Sequence, residues 1–265
     1  IEAPDLRKIC GTFKGNISGR HKAYDENVKD TIDAMYYIDG GRDKGGAKTW
    51  LFDRVDGAKF DGILFKNFRV EQQDGNKLGL IAREVVNSTF SNLTFDNISV
   101  FDEYDYAGVI AGIAVGCQFE NITTKFSDVT VDGCYAGGIV GDSQNCRFMA
   151  CTIALTSACF ADGSGGNARV GGIVGMSQND EFLGCVNSGL VGGLSDAIGG
   201  IAGRSENSKF TYCNNDYAVL YCDEWGSRSN TVYFRDLVNK TREKVTAMAI
   251  DEAKLYHSQV AKTIY

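Results

Sequence analysis

The chain has 265 residues, 43% of them hydrophobic and 23% charged, which is ample for a packed core and excludes disorder as a description of the whole. Its net charge of −7 argues against a grip on a nucleic-acid backbone. The longest uncharged apolar stretch, 106 to 117, falls well short of the roughly 20 residues that a membrane-spanning helix needs.

In chain order, residues 1–45 show no clean repeat and are expected to form an N-terminal cap with the first incomplete rungs. Within and just beyond them, GGRDKGGAKT (40 to 49) comes close to a phosphate-binding loop. It misses by one residue and runs into TWLF, a strand sequence, where the phosphate grip requires a helix N-terminus. From residue 46 to 223 a repeat governs the sequence. LGLIAR (78 to 83), AGVIAG (107 to 112), AGGIVG (136 to 141), VGGIVG (170 to 175) and IGGIAG (198 to 203) align, and a phenylalanine stands nine residues after each isoleucine. These are Phe90, Phe119, Phe148, Phe182 and Phe210; Leu51 and Phe60 supply a sixth copy, and the spacings are 30, 29, 29, 34 and 28.

Apolar positions alternate within each copy, which predicts short strands rather than helix. Two residues after the phenylalanines come Gly62, Asn92, Asn121, Ala150, Gly184 and Tyr212, mostly types that tolerate the left-handed backbone of a sharp corner. One residue further on, Ile63, Leu93, Ile122, Cys151, Cys185 and Cys213 form an inward column. A unit this short cannot bury its apolar face alone, whereas stacked copies share one continuous core. The expected fold is all-β: a right-handed parallel β-helix of about six rungs with a C-terminal capping helix. The helix is expected within 224–265, because Leu237, Val238, Val245, Met248, Ala249, Leu255, Tyr256 and Val260 recur at helical intervals. A leucine-rich repeat is the rival at this period, but its L-x-x-L-x-L skeleton is missing.

Nine cysteines, an odd number with no C-x-x-C pair, and only two histidines give neither a disulfide framework nor a zinc site. Cys117 and Cys146 share a phase on adjacent rungs, where either a disulfide or two stacked thiols would fit. The 34-residue rung carries GSGGNA (163 to 168), a dinucleotide-fingerprint mimic expected to be an inserted loop.

An acidic residue recurs 13 or 14 positions after each phenylalanine: Asp74, Glu103, Asp132, Asp162, Asp196 and Asp223. Stacking would line these carboxylates along one edge, solvated, cation-bound, or paired for acid–base work. Calcium is the one cofactor that the row leaves open; no other is expected. Tyr104, Tyr106 and Tyr135 fall in the same zone with Arg169, and aromatic faces beside carboxylates suit sugar rings. The candidate ligand-binding set is therefore Tyr104, Tyr106, Asp132, Tyr135, Asp162 and Arg169, with no catalytic set assigned.

The segments VGGIVGMSQNDEFLGCVNSGLVGG (170 to 193) and AGGIVGDSQNCRFMACT (136 to 152) resemble the GLUG-type repeats of bacterial surface proteins. GTFKGNISG (11 to 19) and TWLFDRVDGAKFDGILFKNFRV (49 to 70) resemble the opening rungs of such proteins. The resemblance spans about 10 to 215 and implies a non-catalytic, adhesin-like protein at the cell surface or outside the cell. Its implied partners are glycans or host surface and matrix proteins, and the solenoid ends offer a route to self-association. A stalk or fibre subunit, and a polysaccharide lyase or hydrolase using the acidic row, are the alternatives.

Overall fold

The computed structural model describes residues 9–25, 30–40, 50–72, 77–102, 105–131, 133–155, 157–161, 168–193, 197–221 and 231–234. The chain coils into a parallel β-solenoid with four strand columns, each a sheet running along the stack. The first sheet contains Ile9–Phe13, Phe52–Asp56, Ala82–Val86, Ala111–Val115, Val140–Gln144, Val174–Gln178 and Ala202–Glu206. The second has seven three-residue strands, from Asn16–Ser18 to Lys209–Thr211, and carries the phenylalanines on the last six. The third begins with long strands, Ile63–Gln72 and Thr94–Asp102, and divides in later turns into pairs such as Thr123–Lys125 and Asp128–Val131. The fourth stacks Lys77–Leu78, Tyr106–Gly108, Tyr135–Gly137, Arg169–Gly171 and Ala197–Gly199, which makes five complete turns.

The six sequence copies stack in register, and a further rung precedes them, in which Ile17 takes the phenylalanine position and pairs with Phe60. After it, Arg20–Asp25 and Asp30–Asp39 form an antiparallel hairpin whose second strand joins Ile63–Gln72 in parallel. At the other end Thr231–Phe234 pairs antiparallel with Ala218–Tyr221 and covers the edge of the third sheet. A two-sided strand edge invites pairing with other chains, and a reversed strand laid on it blunts that tendency. The rest of the segment expected to hold the capping helix lies outside the described residues, as does the 41–49 stretch of the phosphate-loop mimic. In the long rung the pairing offset grows from 30 residues at Val131↔Ala161 to 34 at Tyr135↔Arg169, so the insertion falls between Ala161 and Arg169.

The core follows from stacking like on like. Phe60, Phe90, Phe119, Phe148, Phe182 and Phe210 lie ring on ring at 4.7 to 5.3 Å between centroids, with plane angles of 19° or less. Cys151 and Cys185 are buried in the inward column as expected, their thiols donating to the carbonyls of Phe119 and Phe148 one rung back. The predicted corner is left-handed in every copy, including Ala150 (φ 50°) and Tyr212 (φ 53°). A second left-handed corner, three residues before each phenylalanine, is occupied by Gly57, Asn87, Gly116, Asn145, Asn179 and Asn207.

Between the second corner and the phenylalanine, one position forms a hydrogen-bonded ladder. Each backbone N–H donates to the side chain at the same place on the next rung: Ala58 to Ser88, Ser88 to Cys117, Cys117 to Cys146, Cys146 to Asp180 and Asp180 to Ser208. Both Cys117 and Cys146 are free thiols. Asp180 is buried, and its carboxylate accepts from the Cys146 N–H (2.7 Å) and from the hydroxyls of Ser143 and Ser177. Burial still pushes its pKa upward against those three donors.

Candidate functional site

Between the fourth sheet and the first, the chain doubles back so tightly that backbone lies against backbone. A Cβ at Gly141 would come 2.8 Å from the amide nitrogen of Ala107 and 3.1 Å from the carbonyl carbon of Tyr106. Glycine there lets the two sheets meet in a crease, and side chains of the two sheets face one another across it. Lys77, Tyr106, Tyr135 and Arg169 succeed one another on the fourth sheet, one per rung. Glu84, Ile113, Asp142 and Met176 succeed one another on the first. The Lys77 ammonium reaches across to Glu84 at 3.2 Å, and Glu84 also receives Arg54.

The structure thus brings together three of the six residues expected from sequence. The Tyr106 and Tyr135 rings meet edge to face, 4.9 Å apart at 75°. The Arg169 guanidinium stands 4.5 Å from the Tyr135 ring centre and donates to the Tyr135 hydroxyl. Among the described residues no carboxylate comes within ion-pairing distance of Arg169. Tyr104, Asp132 and Asp162 lie outside the described residues, and so do Asp74, Glu103, Asp196 and Asp223 of the acidic row. Among the described residues no three acidic, histidine or cysteine side chains converge as metal ligands.

Asp142 is the residue that sequence reasoning missed. It sits half-buried on the first sheet, and its carboxyl is raised to about 6, first by burial and further by the buried Asp180, against the opposing pull of Arg169 and Lys77. Burial also raises both tyrosines, with Asp142 adding to the effect. The signal available was its phase: Asp142 stands one residue after the last glycine of its repeat, in register with Ile113 and Met176. Nothing in the sequence marked that phase as facing Tyr135 across a crease. At the rim, the backbone of Cys134 and Tyr135 donates to the Asp105 carbonyl, which ties this rung to the one before.

A carboxyl whose folded pKa is raised is a group that the fold prefers protonated. Its contribution is most favourable below the unfolded value near 4 and is lost as pH rises through about 6. Asp142→Asn, which cannot ionise, is therefore expected to raise the melting temperature relative to the parent at pH 7.5 and to leave it little changed at pH 4. Thermal unfolding at the two pH values checks this, and an equal shift at both would refute the assignment.

No protein-family model matches the chain, and no curated protein matches it.

Proposed function

We propose that the chain is a binding module of an adhesin-like surface protein, and that the crease between the fourth and first sheets holds a glycan. The observation that carries this reading is the rung-by-rung succession of Tyr106, Tyr135 and Arg169. Aromatic faces offer sugar C–H groups a stacking surface, while the phenol and guanidinium supply directed hydrogen bonds. A run of such side chains at the ~4.8 Å strand spacing suits an extended chain of like units better than a compact small molecule. The likeness of the repeats to GLUG-type repeats supports the same reading, and with it a position at the cell surface or outside the cell.

The test is an array of glycans and host matrix proteins probed with the full chain, with and without calcium, with the same wells assayed for released sugar. Saturable binding without release is expected. Tyr135→Ala should weaken it about tenfold, since an aromatic contact and a hydrogen bond are lost together. Binding unchanged in Tyr135→Ala would exclude the crease as the site. Asp142 favours one second reading: a carboxyl raised to about 6 beside an arginine and two tyrosines is poised for proton transfer near neutrality. Sugar release abolished in Asp142→Asn would make the protein a polysaccharide-active enzyme.

A further inference from the structure

The walls of the crease are unequal in charge. Along the fourth sheet, Lys77 is matched by Glu84, while Arg169 has no carboxylate at ion-pairing distance among the described residues and is held over an aromatic ring and hydrogen-bonded to that ring's hydroxyl. A guanidinium has five N–H donors in a planar fork suited to a carboxylate. Those donors stay beside the tyrosines on the side where a sugar chain would lie, in a protein whose net charge is −7. The N–H donors of Arg169 can serve the hydroxyls of any sugar, but its positive charge adds attraction only for an anionic one.

We infer that the crease selects an acidic saccharide, a uronate-bearing chain whose carboxylate is received by Arg169. This rests on the glycan reading above and narrows it. The groups that face Asp142 decide how binding responds to pH. Arg169, Lys77, Tyr106 and Tyr135 face it within the crease, Asp180 acts from the core side, and its sheet neighbours Ile113 and Met176 are uncharged. An ionised Asp142 competes with the ligand carboxylate for the field of Arg169 and repels it; a protonated Asp142 does neither. The uronate itself stays ionised at pH 5. Affinity for the acidic chain therefore rises as pH falls from 7.5 to 5.

The experiment compares the full chain's binding of a galacturonic acid oligomer and of a galactose oligomer with the same linkage and length, at pH 7.5 and pH 5. The acidic oligomer is expected to bind about tenfold more tightly than the neutral one, the factor that one charge-assisted hydrogen-bonded pair supplies. Arg169→Ala should remove that preference. Arg169→Lys, which keeps the charge without the fork, should restore part of it. Arg147→Ala, which removes an exposed cation paired with Glu181 on another face, should leave the preference intact. Asp142→Asn should bind the acidic oligomer at pH 7.5 as the parent does at pH 5. Equal binding of the two oligomers, or equal losses in the Arg169 and Arg147 variants, would overturn the inference while leaving the glycan reading standing if Tyr135→Ala still weakens binding. Failure of both oligomers and of the wider array to bind would overturn the two together.

Discussion

Phe148→Ala should destabilise the protein by about 4 kcal/mol, the cost of deleting a fully buried aromatic side chain from a core that cannot close over the space. Phe148 has no solvent exposure and is stacked on both sides, against Phe119 at 4.7 Å and Phe182 at 4.8 Å. Strands above and below fix its backbone, so neighbouring rungs cannot settle into the cavity without breaking register. Phe210 makes the informative contrast. It stacks on Phe182 at the end of the column and is only half-buried, so Phe210→Ala should cost about 2 kcal/mol. Urea denaturation of the two variants measures the difference, and equal losses would mean that the column does not act as a continuous stack.

Gly137→Ala should be at least as disruptive as an overpacked core substitution, at about 3 kcal/mol or more. A Cβ there would overlap the carbonyl oxygen of Val140 and lie 2.8 Å from the amide nitrogen of Gly175, and both obstacles are backbone. Relief requires the fourth sheet to move away from the first, which would also open the crease that carries Tyr135. Gly184 is the matched control. Its φ is +62° and a Cβ there would meet nothing within 4 Å, so Gly184→Ala should cost only the left-handed backbone penalty of about 1 kcal/mol. Alanine already occupies that corner at position 150. Chemical denaturation of both variants separates steric from conformational cost, and similar losses would refute the close approach at Gly137.

The columns of this fold were legible because a solenoid converts sequence period directly into spatial stacking. A fixed offset from each phenylalanine predicted both the inward cysteines and the left-handed corner. Ala150 and Tyr212 show why the rule holds even where the residue type argues against it. The neighbouring rungs impose the corner through hydrogen bonds such as that from Ala150 N–H to the Leu183 carbonyl, and tertiary context outweighs local preference. The other corner carries a signal as strong, Gly or Asn in all six copies, three residues on the N-terminal side of each phenylalanine. Asp180 was hidden because Ser88, Cys117, Cys146 and Ser208, which share its phase, look unrelated until each is seen accepting from the preceding rung's N–H.

For the candidate site, Tyr106, Tyr135 and Arg169 were accessible because they occupy one column, and the period alone brings a column together. Asp142 belongs to a different sheet. Its meeting with Tyr135 depends on how sharply the chain folds at 137–141, a three-dimensional angle that no spacing encodes.

The ladder beside the phenylalanines also bears on how such a chain changes length. Because each step joins equivalent positions, a whole turn can be excised without displacing any later residue from its column. Removing the 29 residues from Gln118 to Cys146 would join Cys117 directly to Arg147, the strand partner of Gln118, and Cys117 would then donate to Asp180 in place of Cys146. Inserting a duplicate turn works the same way in reverse. Within the strand columns, gain and loss of material without loss of register therefore come in units of one coil, whereas the extra residues between Ala161 and Arg169 leave Phe182 and Phe210 in their column.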